Sequence, residues 1–170
     1  LITLKPTLYL CNVDEDSVGE DNEYVKAVKD FAEKEGSRAI KICGKLESEI
    51  SALDSEEDKA DFMEAAGIEV SGLETLTHEA YNMLGLRTYF TAGVKEVRAW
   101  TFKNGAKAPE AAGVIHTDFE RGFIKAEIYH YDDLISNGSE AKVKEAGKLR
   151  MEGKEYVVKD GDIIHFRFNV

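Results

Sequence analysis

The sequence predicts an α/β unit followed by an α+β unit that is built around a mixed sheet. Residues 1–50 show the succession strand, helix, strand, which is the unit that builds a parallel sheet. From residue 88 onward the pattern changes to short apolar or alternating runs separated by glycines, which is typical of strands joined by turns. A length of 170 residues leaves room for one ordinary domain or two small ones, and 43% hydrophobic residues favour a folded core.

The opening strand, helix and strand are predicted from the spacing of their apolar residues. Residues 4–12 are a mostly apolar run rich in strand formers, which suits a buried parallel strand, with Pro6 tolerable only near its start. Residues 23–35 place apolar side chains at helical spacing, and Gly36 supplies a stop. Residues 38–43 form the second short strand.

Two helical stretches, 46–65 and 72–84, are predicted between the halves. A serine followed three positions later by an acidic residue, which is the pattern of an amino-terminal cap, lies within the first stretch and directly before the second. The pairs are Ser55 with Asp58 and Ser71 with Glu74. The strands predicted in the second half cover 88–92, 97–103, 122–131, 156–158 and 163–168, and short helices are predicted near 109–112 and across 140–150.

Charge and composition exclude several classes of function. Residues 1–85 carry 8 Lys/Arg and 20 Asp/Glu, whereas residues 86–170 carry 14 and 13, so the first half repels a phosphate backbone and the second offers at best a local basic patch. We therefore expect no DNA partner. No apolar run is long enough for a membrane span and no signal peptide is visible, so we expect no membrane partner and a cytoplasmic location.

The chain ends and the cysteines carry two further expectations. The chain starts at Leu1 rather than at a methionine and enters a strand-like segment almost at once, so we expect a fragment that begins partway through a domain. Cys11 and Cys43 each end a predicted strand, and we expect both to be reduced structural thiols.

The sharpest local motif is Asn12-Val13-Asp14-Glu15, because it follows a buried strand at the end where ligands bind in open α/β sheets. In P-loop GTPases an Asn-Lys-x-Asp element at this place reads guanine. Here Val13 replaces the lysine, and Glu15 is one methylene longer than the aspartate. The displaced carboxylate should weaken guanine discrimination, and an apolar second residue can pack on any purine face. The alternative is that these residues form only a polar turn.

The second strand ends at Cys43-Gly44-Lys45, which occupies the place of the final base-binding loop of such proteins. Gly44-Lys45 is not a phosphate loop, because the required first glycine is replaced by Ala39 and the hydroxyl position holds Leu46. The chain therefore contains no P-loop. The sequence places no third ligand or nucleophile near His116 and Asp118. We therefore expect these two residues to have a structural role and to form no metal or catalytic site.

The second half carries a close resemblance to a known family. The segments are Tyr89–Thr101 (YFTAGVKEVRAWT), Ala111–Gly113, His116–Ile124 (HTDFERGFI), Val158–Ile164 (VKDGDII) and Phe166–Asn169 (FRFN). They resemble the TGS domain of the Obg-like ATPase (YchF) family of P-loop GTPases. Residues 1–50 are similar to the last strands of that family's G domain, including its Asn-x-x-Glu variant of the guanine motif.

The resemblance implies a fold and a division of the chain. Residues 1–50 would be the C-terminal part of an α/β G domain with its base-recognition loops, and residues 51–85 a helical connection that completes it. Residues 86–170 would be an α+β TGS domain with the β-grasp fold. The residues implied in nucleotide base binding are Asn12, Val13, Glu15, Cys43, Gly44 and Lys45.

The resemblance also implies an activity for the parent protein. Family members bind ATP, often with GTP tolerated, hydrolyse it with Mg²⁺, and associate with ribosomes, for which we expect the large subunit or RNA as partner. No catalytic residue carries over, because the family's phosphate loop and magnesium ligands precede this region, so the fragment alone should be inactive. The alternative is a non-catalytic module whose TGS sheet binds RNA or protein.

Overall fold

A computed structural model describes residues 1, 4–93 and 95–169 of the chain, so that Val94 of the quoted Tyr89–Thr101 segment lies outside the described residues. The chain divides into two compact units, Leu1–Leu84 and Gly85–Val170.

The first unit begins with two parallel strands, β1 (Leu8–Asn12) and β2 (Arg38–Ile42), paired in register from one end to the other. Helix α1 (Glu23–Lys34) connects them and starts where the Asn22 side chain accepts the Val25 amide at 2.9 Å. The predicted strand start at residue 4 is wrong. The Leu4 amide instead donates to the Leu1 carbonyl, and Pro6 has no N–H to give to a strand ladder.

Three helices follow: α2 (Gly44–Ser51), α3 (Glu56–Ala65) and α4 (Gly72–Met83). The single stretch predicted over 46–65 is wrong, because it is two helices. Ser55 lies between them with an extended backbone, and its hydroxyl accepts the Asp58 amide at 3.0 Å to cap α3. The Ser71 hydroxyl caps α4 in the same way by accepting the Glu74 amide at 3.1 Å, so both predicted caps are confirmed.

The second unit is built around a mixed sheet, as the sequence predicts, and this sheet has five strands. Its elements are β3 (Leu86–Ala92), β4 (Val97–Lys103), α5 (Ala108–Ile115), α6 (Thr117–Arg121), β5 (Phe123–His130), α7 (Tyr131–Asn137), α8 (Glu140–Glu145), β6 (Arg150–Glu152) and β7 (Asp162–Phe168). The strand order is β4-β3-β7-β5-β6, in which β3 and β7 are parallel and the other neighbours antiparallel.

Both faces of this sheet carry a buried apolar cluster. Neighbouring residues of a strand point to opposite faces, so one strand can contribute to both clusters. Ile128 and Ile164 belong to one buried cluster, together with Tyr89 of β3 and residues of α5. Tyr129 and Ile163, their sequence neighbours, belong to a second cluster with Val143 of α8 and Leu134 of α7. A period of two along β5 and β7 thus builds two cores around one sheet.

Two predictions in the second unit are wrong at element ends. The helix predicted over 140–150 stops at Glu145, because Gly147 adopts a left-handed backbone and the Lys148 amide returns to the Val143 carbonyl at 3.0 Å. That stop releases Arg150–Glu152 to form β6, which was not predicted. The strand predicted over 156–158 is a turn region with one isolated bridge between Val157 and Lys107.

The turn Asp160-Gly161-Asp162 joins three strands of the second unit. The Asp160 carboxylate accepts the Thr88 amide of β3 at 2.7 Å, and the Gly161 amide donates to the Thr88 carbonyl at 2.8 Å. The Gly161 carbonyl accepts the Tyr131 amide at 2.9 Å, just after β5. Gly161 has a φ of +80°, and an added Cβ would lie 2.9 Å from the ring of His130.

Asp162 is a buried carboxylate that holds the segment before β7. One oxygen accepts the Tyr156 hydroxyl at 2.8 Å and the Lys159 amide at 2.9 Å. The other oxygen lies 3.9 Å from the Arg150 guanidinium, which supplies a neighbouring positive charge. Burial, reinforced by the hydrogen bond to Asp162, raises the pKa of Tyr156 to about 12.

Substitution of Gly161 tests the importance of this turn. Gly105 is the matched control, because it has a φ of +87° but no neighbouring atom near an added Cβ. We expect Gly105→Ala to lower the free energy of unfolding by about 1–2 kcal/mol, which is the cost of the left-handed backbone. Gly161→Ala should cost a further 1–3 kcal/mol, roughly, because the methyl group also overlaps His130.

The measurement is urea unfolding of the whole chain followed by the fluorescence of Trp100, the single tryptophan, which lies in the second unit. Equal losses for the two variants would show that the close contact with His130 is unimportant.

Candidate functional site

The carboxyl ends of β1 and β2 bring two polar loops together. Asn12 and Ile42 are opposite each other in the parallel ladder, and the Val13 amide extends it by donating to the Ile42 carbonyl at 2.8 Å. The segment that follows Asn12 therefore runs beside the segment that starts at Cys43. The six residues implied in base binding come from these two segments, and the structure places them next to each other.

Asn12 ties the two loops to each other. Its side-chain oxygen accepts the backbone amide of Gly44 at 3.1 Å, which satisfies one of the donors that every helix leaves unpaired in its first turn. Gly44 is the first residue of α2, and no side chain of Cys43 caps that helix. A Cβ at Gly44 would lie 3.4 Å from the same Asn12 oxygen, which is ordinary contact distance, so space alone does not demand a glycine.

Glu15 and Lys45 form the second link between the loops. Glu15 begins a single 3₁₀ turn, Glu15–Ser17, in which the Asp14 carboxylate accepts the Ser17 amide at 3.0 Å. The Glu15 carboxylate oxygen lies 2.6 Å from the Lys45 ammonium group, and both side chains are exposed. The hydrogen bond to Glu15 raises the pKa of Lys45 above its ordinary value.

Val13 and Cys43 supply the apolar part of the site. Val13 is half-buried, whereas Cys43 is 6% exposed and sits with an extended backbone immediately before α2. Both line a cleft that also includes Leu46 and Val70. Cys43 and Cys11 are free thiols in the structure.

The loop before α1 is held against β2 by charge. Asp21 accepts from Lys29 of α1 and lies 3.0 Å from the ammonium group of Lys41 on β2. The hydrogen bonds to Lys29 and Lys41 lower the pKa of Asp21 below its ordinary value. The segment that carries Glu15 is thus fixed at both ends, by Asn12 at one and by Asp21 at the other.

Glu47 has a positioning role that sequence reasoning missed. One of its carboxylate oxygens accepts the Gly72 amide at 2.6 Å, and the other accepts the Leu73 amide at 3.3 Å. With Ser71 bound to the next amide, the first three donors of α4 are satisfied. Gly72 also packs closely on Ile42, since an added Cβ would lie 2.6 Å from that side chain. Glu47 is 25 positions from Gly72, so no local pattern signals the contact.

The other polar candidates have structural roles. The His116 ring accepts the Asp118 amide at 3.2 Å and caps α6. Among residues 1, 4–93 and 95–169, no three His, Cys, Asp or Glu side chains are grouped so as to hold a metal ion. Across the same residues, no helix combines the length and apolar character needed to cross a membrane.

Comparisons with known proteins show which proteins this chain resembles. Residues 86–169 match the family model YchF-GTPase_C, described as a protein of unknown function (DUF933). The curated protein named ribosome-binding ATPase YchF from Bacillus subtilis (strain 168) is 58% identical over 172 residues, covering 100% of this chain and 47% of the relative. The protein of that name from Pasteurella multocida (strain Pm70) is 56% identical, covering 99% and 46%. The chain spans about half the length of the curated relatives it matches.

Two solved structures also resemble this chain over nearly its whole length. The structure of the Schizosaccharomyces pombe YchF GTPase superposes with a TM-score of 0.86 at 38% identity, covering 98% of this chain and 44% of that one. A GTP binding protein from Pyrococcus horikoshii OT3 superposes with a TM-score of 0.64 at 18% identity, covering 97% and 46%, which shows a shared fold.

Removal of the Glu47 carboxylate tests its role at α4. We expect Glu47→Ala to lower the free energy of unfolding by about 0.5–2 kcal/mol, the usual cost of losing an amino-terminal cap. Hydrogen exchange at the Gly72 and Leu73 amides should speed up in the variant. Glu49→Ala on the exposed side of α2 is the control, and it should leave both amides unchanged. Equal exchange rates in the two variants would contradict the assignment.

Proposed function

We propose that the chain belongs to the YchF family, whose C-terminal model matches residues 86–169, and that it is the C-terminal part of a ribosome-associated P-loop NTPase. In the parent protein this part would recognise the purine base of ATP or GTP and present the second unit to a partner. The observation that carries the proposal is the meeting of the Asn12–Glu15 loop with Gly44 and Lys45 at the carboxyl ends of β1 and β2.

The chemistry of the two loops suits a purine base that is held without strict selection. Val13 offers an apolar side chain to the face of either purine. Asn12 fixes the loop geometry by accepting the Gly44 amide. The side chain of Cys43 is small and buried, so the backbone at the start of α2 can lie close to the base. Glu15 provides the carboxylate that would accept from guanine, but it is held by Lys45. A site of this kind accepts ATP and tolerates GTP.

We further propose that the phosphates and Mg²⁺ are bound by the portion of the relatives that this chain does not match. Lys45, which follows Gly44 at the start of α2, is engaged by Glu15. Phosphoryl transfer depends on positioning and on charge neutralisation around the phosphates. On this proposal the chain alone binds a base weakly and does not hydrolyse ATP.

The strand order supports the assignment of residues 86–170 as a TGS domain with the β-grasp fold. Counted within the unit, the order is second, first, fifth, third, fourth, with the first and last strands parallel at the centre. Helix α5 packs on that sheet through buried alanines. Residues 1–50 would then be the end of the G domain, with α3 and α4 in the connection over 51–85.

The curated relatives are named ribosome-binding ATPases, which supports a ribosomal partner for this chain. We propose that this partner is the large ribosomal subunit and that the protein acts in the cytoplasm. The nearly neutral second unit argues that such binding depends on local contacts.

One observation favours a second candidate, a non-catalytic RNA- or protein-binding module. Edge strand β4 presents the Arg98 guanidinium stacked 4.1 Å from the centre of the Trp100 ring, which is an arrangement that can extend to a base.

Substitution of Glu15 tests base recognition. In the full-length protein, we expect Glu15→Asp to raise the affinity for GTP relative to ATP by about fivefold, at the low end of what a good base contact contributes. The shorter carboxylate reaches the ordinary guanine-reading position and reaches Lys45 less well. The ratio of dissociation constants is measured by titration calorimetry. Glu20→Asp, an exposed change in the same loop, should not alter it. An unchanged ratio for Glu15→Asp counts against Glu15 as a base reader.

Ribosome co-sedimentation separates the two candidate functions. If the protein is a nucleotide-controlled ribosome ligand, the bound fraction of the full-length protein should differ between ATP and no nucleotide. If it is an RNA-binding module on the β4 edge, Arg98→Ala should lower the retained fraction at low salt regardless of nucleotide. Arg167→Ala, which removes an exposed arginine from β7, is the charge control. Retention that responds to neither nucleotide nor Arg98→Ala would argue against both.

A further inference from the structure

Two polar side chains of the Asn12–Glu15 loop, those of Asn12 and Glu15, are occupied by consecutive residues of the second loop. The Asn12 oxygen accepts from the Gly44 amide at 3.1 Å, and the Glu15 carboxylate accepts from the Lys45 ammonium group at 2.6 Å. Both members of the ion pair are exposed, with 44% of the Glu15 side chain and 67% of the Lys45 side chain accessible. The positive group that neutralises Glu15 therefore belongs to the site itself.

The two purines respond in opposite ways to a carboxylate at this position. Guanine presents a ring N–H and an exocyclic amine on its base-pairing edge, and a free carboxylate accepts from both in a bidentate contact. Adenine presents a ring nitrogen with a lone pair at the corresponding position, so a free carboxylate repels it. An ammonium group on the carboxylate weakens the attraction for guanine and the repulsion of adenine together.

We propose that Lys45 determines nucleotide specificity by pairing with Glu15 and so withdrawing that carboxylate from guanine. This inference rests on the proposed base site, and it assigns to Lys45 a role distinct from contact with phosphate. The lysine is the second residue of α2 and follows the Asn12–Gly44 bond directly, so the same helix start that positions the loop also positions the counter-ion. Specificity is thus set by a residue that need not touch the base.

The effect is moderate, because both charges are in contact with water. Exposed ion pairs change an equilibrium by about twofold to fivefold, and salt screens them. ATP and GTP carry the same phosphate charge, so screening of the phosphates cancels in the ratio of their affinities. The ratio therefore isolates the ion pair from all contacts that the two nucleotides share.

The test measures ATP and GTP dissociation constants in the full-length protein and in variants of Lys45, Lys34 and Glu15. Lys45→Met removes the ammonium group and keeps the length of the side chain, and we expect it to shift the ratio toward GTP by about twofold to fivefold. Lys45→Arg retains a cation and should restore the original ratio. Lys34→Met, at the exposed end of α1, makes the same charge change away from the loops and should have no effect.

The Glu15→Gln variant shows whether Lys45 acts through Glu15. In that background Lys45→Met should no longer shift the ratio, since no carboxylate remains to be released. Raising the salt concentration should move the unmodified protein toward GTP and leave Lys45→Met unchanged.

Two outcomes would overturn the inference without touching the base site: an unchanged ratio in Lys45→Met, or an equal shift in the Glu15→Gln background. Failure of the base site gives a different result. If the full-length protein bound neither nucleotide, or bound both with affinities that Glu15→Asp, Glu15→Gln and Lys45→Met all left untouched, the proposed function would fall and this inference with it.

Discussion

The parallel register of β1 and β2 is the constraint on which the candidate site depends. Parallel strands end at the same edge of a sheet, so pairing Asn12 with Ile42 brings the loop after β1 beside the start of α2. The bonds from Asn12 to Gly44 and from Glu15 to Lys45 are made between those two segments. A slip of one residue would turn the strand side chains to the other face and separate the partners.

The same edge of the sheet also organises the helices of the first unit. Glu47 lies on α2 only two positions after Lys45, and its carboxylate holds the first amides of α4. Gly72 allows α4 to approach Ile42, the residue that pairs with Asn12. A change in the position of α2 would therefore alter both the two loops of the candidate site and the start of α4. In the second unit, the turn around Gly161 has a comparable function, because it connects β3, β5 and β7 through backbone bonds.

The sequence predicted most of the strands and helices because their signals are local. The apolar periodicity, serine caps and glycine stops predict α1, α4 and β7 closely. The resemblance implies six residues for the proposed base site, and the structure brings their two segments side by side. The errors occur where contacts between residues far apart in the sequence determine the structure. Helix α8 ends early at Gly147, which frees residues for β6, and the ladder that defines β6 is supplied by β5. Glu47 could not be found, because its partners are brought near only by the folded chain. The Lys45–Glu15 pair is likewise not visible in the sequence, although the resemblance implies both residues in the proposed site.

Loose selectivity at the proposed base site is consistent with the interactions that join its two loops. The carboxylate and its counter-ion are both solvated, so their contribution to discrimination is limited to a small factor. The bonds that fix the loop backbone, from Asn12 to Gly44 and from Val13 to Ile42, do not depend on which purine is bound. In the proposed site, the geometry of the pocket and the identity of the bound base would therefore be set by different contacts. Selectivity can change through Glu15 and Lys45 while the pocket, and any coupling from α2 to α4, stays the same.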